Sequence, residues 1–181
     1  INLIQKAIQV DPLNYRGYFR LANIYMYKKE YLKAETALKK YLFMYKDSRW
    51  THNFLAQIYL GKGEVKKALT EIELDTDPFW GLYIKCIVMH ASGNKERANK
   101  LLEELVKKWG HDSWPNIAHV YAYRAEKDEA FKWLDLALKE KDASLYTIIN
   151  YPAFENLHGD PRWNSFINKL NLPEDHGFQV D

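Results

Sequence analysis

The pentapeptide LANIY at residues 21–25 returns as LAQIY at 55–59. The same offset of 34 residues carries Ala34, in YLKAETAL, onto Ala68, in EVKKALTEI, so that Leu21/Leu55, Ala22/Ala56, Tyr25/Tyr59 and Ala34/Ala68 share one period. A period of this length restricts the fold more than any composition value does, because each repeat is one supersecondary unit that buries its apolar face only against its neighbours. Within each period the apolar residues recur at helical spacing, and the turn-forming GKGE at 61–64 lies between two such stretches. In the GKGE turn Gly63 falls where a helix ends in a left-handed residue. Asp11-Pro12 precedes the first full unit, and at Asp77-Pro78 the aspartate reads as an N-cap and the proline as the first helical residue of the next unit.

Large, small and aromatic residues at Tyr18, Leu21, Ala22 and Tyr25, followed by Ala34, Leu38 and Tyr41, match the signature of the tetratricopeptide repeat family, which this chain resembles. The second unit keeps Leu55, Ala56, Tyr59, Ala68 and Ile72. In the third, Leu82, Cys86, Met89, Gly93, Ala98, Leu102 and Leu105 fit, with Lys85 where a large apolar residue is expected. The fourth has Trp114, Ile117, Ala118, Tyr121, Ala130, Leu134 and Ala137. The resemblance implies an all-α fold, a right-handed α-solenoid of antiparallel helix pairs, running as one curved body without an internal boundary. Its expected units are a partial repeat at 1–14 with a helix over 1–10, then repeats at 15–48, 49–78, 79–110 and 111–142. A C-terminal helical cap is expected over 143–172, with a short helix near 144–149, a proline-broken turn at Tyr151-Pro152 and a last helix started by Asp160-Pro161. A flexible tail follows at 173–181. The segment from EKDEAFKWLDLALKEKD to NKLNLP is also similar to the ending of helical-repeat regions in bacterial signalling proteins, among them cyclase-like proteins and winged-helix transcriptional regulators. That similarity implies a regulatory or sensory arm of a larger protein, and the opening INLIQKAIQVDP reads as a piece cut from a longer chain.

Several function classes are disfavoured by the residues. The 26 Lys+Arg against 24 Asp+Glu leave a formal net charge of +2, too even for a duplex-DNA or anionic-membrane partner. No apolar run approaches the roughly 18 residues of a membrane span. The expected location is cytoplasmic, or periplasmic if a membrane span precedes this segment. The six histidines form no His-x-x-x-His pair, GKGE lacks the strand and the Lys-Ser/Thr ending of a phosphate loop, and the single cysteine, Cys86, sits at a small-residue packing position. No metal, cofactor or catalytic constellation is expected, and the chain reads as a non-enzyme.

What remains is a surface. In the family it resembles, the first helix of each unit lines a concave groove. Transferred position by position, the groove comprises Arg16, Phe19, Arg20, Asn23, Met26 and Tyr27 in the first unit, and Trp50, Asn53, Phe54, Gln57 and Leu60 in the second. The third adds Trp80, Tyr83, Ile84, Ile87 and His90, and the fourth Asp112, Asn116, His119 and Tyr123. Aromatic anchors, amides and two arginines one helical turn apart are the residue mix of binding hot spots. The expected partner is a protein or peptide segment of acidic and apolar character. Self-association is the alternative, with single-stranded nucleic acid ranked lower. The carboxylate clamp of chaperone-tail receptors is not implied, since its lysines are missing and both arginines lie in the first unit. Tyr18, Tyr25, Tyr31 and Tyr41 fall on packing positions, whereas Tyr27 falls on the groove.

Overall fold

Among the described residues, four pairs of helices are joined in the same way, by one residue in the left-handed conformation followed directly by the start of the next helix. The residues are Lys29 (φ 58°), Gly63 (φ 75°), Gly93 (φ 83°) and Ala125 (φ 57°). At each, the left-handed residue donates its N–H to the carbonyl three residues back, and the next residue donates to the carbonyl five residues back, as in Gly63 N to Leu60 O (2.9 Å) and Glu64 N to Tyr59 O (2.8 Å). This pairing satisfies carbonyls that a helix end otherwise leaves open, and it turns the chain sharply. Gly63 takes the conformation expected of it. Lys29 and Ala125 take it at a steric cost of about 1 kcal/mol each, and nothing in their side chains announces the turn.

The computed structural model describes residues 1–45 and 51–171. Its helices in chain order are α1 (Asn2–Val10), α2 (Tyr15–Tyr27), α3 (Tyr31–Met44), α4 (Thr51–Gly61), α5 (Val65–Leu74), α6 (Trp80–Ala91), α7 (Lys95–Trp109), α8 (Trp114–Tyr123), α9 (Lys127–Lys139), α10 (Leu145–Ile148), a 3-10 helix (Pro152–Leu157) and α11 (Pro161–Lys169). The fold is all-α, with no strand among the described residues. The repeated turns join α2 to α3, α4 to α5, α6 to α7 and α8 to α9, which matches the expected helix pairs. No helix among the described residues is long and apolar enough to cross a membrane. The chain divides into two compact units, Ile1–Leu102 and a second beginning at Glu103, where an unbroken array was expected. Helix-pair packing is local in sequence, and here its network of contacts separates within α7.

In the first unit α2 packs along α3 and α4 along α5. Ala34, Ala56 and Ala68 are fully buried, and their small side chains let the helices approach so that Leu38 and Ile72 fill the space between. Burying each of these larger side chains contributes about 1.5–3 kcal/mol. Two glycines are set by close approach. Gly17 faces Ile8 of α1, and Gly61 lies directly under the ring of Tyr31, which accounts for Tyr31 as a packing residue. On the same unit the Tyr59 hydroxyl donates to Glu35 (3.2 Å), and Lys62 bridges Glu35 (2.7 Å) and Glu64 (2.9 Å). Burial opposes ionisation of Glu35, but hydrogen bonds from Lys39 and Lys62 outweigh it and pull that carboxyl down to about 2. The same acceptors push Lys62 up to about 12.

The start of α6 corrects the sequence reading by two residues. The expected N-cap residue, Asp77, lies two residues ahead of the observed one, Phe79; its Oδ1 still accepts from Phe79 N (3.0 Å) and Trp80 N (2.8 Å), but Pro78 lies in a turn and the helix begins at Trp80.

In the second unit α8 pairs with α9, and α10 and the 3-10 helix lie against α8. Phe154, Leu157, Trp163 and Phe166, in the segment after residue 143, are buried. The turn expected at Tyr151-Pro152 opens directly into the 3-10 helix, which was not foreseen. Asp160 caps α11 by accepting from Arg162 N (3.0 Å). The Arg162 guanidinium also grips that carboxylate through two bonds (2.9 and 2.8 Å), reaches Asp128 (2.8 Å) and lies 4.4 Å over the Phe131 ring. Hydrogen bonds from Arg162 hold the Asp160 carboxyl far below the usual carboxylate range. The tail expected at 173–181 lies outside the described residues.

Candidate functional site

The groove residues of α2 follow its turns. At about 100° per residue, Arg16, Arg20, Asn23 and Tyr27 fall on one side of the helix, and Tyr18, Leu21 and Tyr25 on the other. In the second set Leu21 is buried, and Tyr18 and Tyr25 are half-buried. On the first side Arg16 and Arg20 are exposed, and Phe19, Asn23 and Tyr27 are half-buried.

Phe19 begins a chain of rings. It meets Phe54 of α4 edge-on (5.1 Å, 79°) and Tyr41 of α3 (5.2 Å). Tyr41 in turn contacts Tyr45 (5.8 Å) and Tyr15 (6.1 Å), and Tyr15 and Tyr45 stack almost parallel (5.4 Å, 8°). The Arg16 guanidinium lies 5.8 Å from the Tyr15 ring centre. Ring pairs in such edge-on and offset geometries add about 0.5–1.5 kcal/mol beyond burial, so the ladder holds α2, α3 and α4 together. Phe19 and Tyr15 keep part of their surface in water, beside the two arginines. Phe19 therefore both packs and borders the exposed face. The Asn23 side chain donates back to Phe19 O (3.0 Å), which fixes its rotamer. Gln57 on α4 is half-buried, with no hydrogen-bond partner among the described residues.

Seven expected groove residues are core instead. Asn53 is fully buried, and its backbone N–H and side-chain amide both donate to Asp75 Oδ2 (3.0 and 3.2 Å). Asp75 Oδ1 accepts from Asp77 N (2.9 Å), so one carboxylate ties the start of α4 to the link between α5 and α6. Gly81 allows this, because a β-carbon there would sit 2.8 Å from Asp75 Oδ1. Tyr83 is fully buried and stacks on Phe79 (6.0 Å, 15°). Asn116 and His119 of α8 are buried in the second unit, where His119 meets Tyr151 edge-on (4.9 Å, 82°) and Phe154 at 5.6 Å. Asn156 Nδ2 pins the 3-10 helix to α8 by donating to Ala122 O (2.9 Å). Burial alone pushes His119 down to about 3, so its imidazole is neutral. Met26, Ile84 and Ile87 are buried as well, α6 being enclosed on nearly every side.

Of the other expected groove residues in the first unit, Arg16 and Arg20 are exposed and Phe19, Asn23, Tyr27, Phe54, Gln57, Leu60, Trp80 and His90 are half-buried, the Trp80 ring meeting Phe79 edge-on (5.1 Å). Tyr123 is half-buried on α8 of the second unit, and Trp50 lies outside the described residues. Sequence reasoning missed Asp75, although the doublet in LDTDP carries two carboxylates at a helix junction, a pattern that accommodates both a cap and a tie.

Among the described residues no group of three or more His, Cys, Asp or Glu side chains is placed to hold a metal ion. Cys86 is buried in α6, its thiol 3.2 Å from Leu82 O. Compared with known proteins, the chain matches no protein-family model, and no curated protein matches it by sequence.

Proposed function

We propose that this chain is a non-catalytic, tetratricopeptide-like recognition domain that binds a protein or peptide segment across α2 and α4 of its first unit, and that it serves as the regulatory arm of a larger bacterial signalling protein. The observation that carries this reading is the exposed pair Arg16 and Arg20, one helical turn apart beside partly exposed rings that are already locked by packing. Rigid aromatics supply contact area at low entropic cost, and an arginine pair selects carboxylates through forked hydrogen bonds. The ligand is thus an acidic segment with apolar anchors, and the accessible Gln57 amide supplies backbone pairing.

The test is calorimetric titration of acidic-apolar peptides into wild type and an Arg16→Glu, Arg20→Glu variant. Both side chains are exposed, so the variant keeps its fold. Affinity should fall by about tenfold or more, the cost of losing charge-assisted contacts. Equal affinity for a peptide that binds wild type would remove this face from the account.

Self-association is a second reading, favoured by Leu3, Val10 and Leu13, which are 81%, 87% and 75% exposed around α1. Light scattering over a range of concentrations separates the two, because a monomer at every concentration rejects it.

A further inference from the structure

The side of α2 turned away from the arginines forms, with α3, an open trough of 330 Å³. Leu21 and Ala37 are its buried floor, and the rings of Tyr18 and Tyr25 and the exposed Leu32 are its walls. Lys33 and Lys40 stand along its α3 edge, seven residues and about two helical turns apart. From the geometry and charge of this trough we infer a second docking surface, one that receives an acidic amphipathic helix of a partner protein.

Three observations fix that occupant. The first is apolar surface left in water: Leu32 is 71% exposed and Phe43 82%, and their spacing of eleven residues returns them to the same side of α3 about 16 Å apart. Leu32 walls the trough, and Phe43 continues the exposed apolar line of α3 past the lining residues, so the two offer anchors along the length of a helix.

The second is charge. Residues 28–40 hold five lysines and two glutamates. Glu30 is taken by Lys33, and Glu35 by Lys39 and Lys62. Lys40 has no carboxylate partner among the described residues, and its ammonium lies 5.4 Å over the Tyr18 ring. A partner with glutamates or aspartates flanking its apolar stripe meets Lys40 directly and competes with Glu30 for the exposed Lys33. A second copy of this chain would bring the same lysine row against itself, at a like-charge cost.

The third is hydrogen bonding. An extended peptide needs partners for its backbone groups, and this trough has no strand edge. Thr36 already donates its hydroxyl to Leu32 O (2.9 Å). A helix satisfies its own backbone, so it can lie on an apolar trough without loss. The concavity between α2 and α3 accepts projecting side chains, which a flat bilayer surface does not supply.

The experiment measures fluorescence anisotropy of two labelled helical peptides of about 18 residues, long enough to be stable as helices once docked. Both carry leucines at i, i+3, i+4 and i+7; one has glutamates flanking the stripe and its twin has lysines. The expected result is binding of the glutamate peptide alone, weakened about tenfold or more by Lys33→Glu, Lys40→Glu and by Leu32→Asp, and unchanged by Arg16→Glu, Arg20→Glu. All of these positions are exposed, and an unchanged far-ultraviolet circular dichroism spectrum verifies folding. Equal binding of the two peptides, binding of neither, or indifference to the lysine variant overturns the proposal. Loss of binding in the arginine variant instead assigns the peptide to the opposite face. Two further arms name the other occupants: sedimentation with vesicles of equimolar phosphatidylcholine and phosphatidylserine, and light scattering of the chain alone. Vesicle binding or a dimer that Leu32→Asp abolishes, without specific capture of the glutamate peptide, replaces the helix with a membrane or a second copy.

Discussion

Lowering the pH from 7 to 5 should loosen the second unit through a single side chain. His119 lies against Tyr151 and Phe154 with its imidazole buried, and that burial takes its pKa from 6.5 down to about 3. In the unfolded chain the same imidazole titrates near 6.5. Between those values the unfolded state binds a proton that the folded state refuses, so the stability supplied by the neutral ring is complete above 6.5 and is lost as the pH falls toward 3. At pH 5 the loss relative to pH 7 is about 2 kcal/mol, since each pH unit below the unfolded value contributes about 1.4 kcal/mol. The carboxylate held most firmly in the first unit, Glu35, releases its share only below 4.5 and stays out of this window. Urea unfolding at pH 7, 6 and 5, followed by circular dichroism, measures the effect, with His119→Gln as the reference that cannot titrate. Wild type should lose about 2 kcal/mol while the variant, whatever its stability at pH 7, stays nearly level. Parallel decline of the two proteins would refute the assignment of the buried neutral imidazole. Because Tyr151 and Phe154 lie on this ring, the same protonation should raise amide exchange in residues 151–157 before it does so elsewhere in the unit.

Other substitutions probe the close approaches that set the first unit. Gly61→Ala drives a methyl group into the Tyr31 ring and should cost about 1–3 kcal/mol; thermal melting checks this, and Tyr31→Ala in the same chain should recover part of the loss. Asp75→Ala strands the Asn53 N–H and amide and the Asp77 N–H, with an expected cost of about 2–3 kcal/mol in urea unfolding. For Glu35 the lowered carboxyl adds stability that is present above 4.5 and lost as the pH falls to about 2. An acid titration should therefore be steeper over that window for wild type than for Glu35→Gln.

Much of the secondary structure is legible from residue type and spacing alone, because its causes are local. Helical apolar spacing places α2, α3, α4 and α5, and Asp160-Pro161 starts α11 because proline suits the first helical position and aspartate caps it. Gly63 marks its turn because glycine tolerates positive φ. The equivalent turns at Lys29 and Ala125 carry no such mark, and only the hydrogen bonds of the helix ends require that conformation there.

The candidate site divides along the same line. Sequence places Arg16 and Arg20 together on one side of α2, since helical geometry alone puts residues four apart one above the other. It does not say what lies across from a helix face. Asn53, Tyr83, Asn116 and His119 stand at positions that read as a groove, yet Asp75 holds the first, the ring of Phe79 stacks on the second, and the segment around Tyr151 and Phe154 covers the face of α8 that holds the other two. Phe79 is a neighbour of Tyr83 one helical turn away, but Asp75 and the segment around Tyr151 and Phe154 come from other elements of the chain, and no periodicity within one helix encodes their arrival. The period of 34 residues and the helical spacing within it belong to the sequence, because they follow from contacts made within a few turns. Which of the polar and aromatic side chains face water, and which became core, was decided only when distant segments packed upon them.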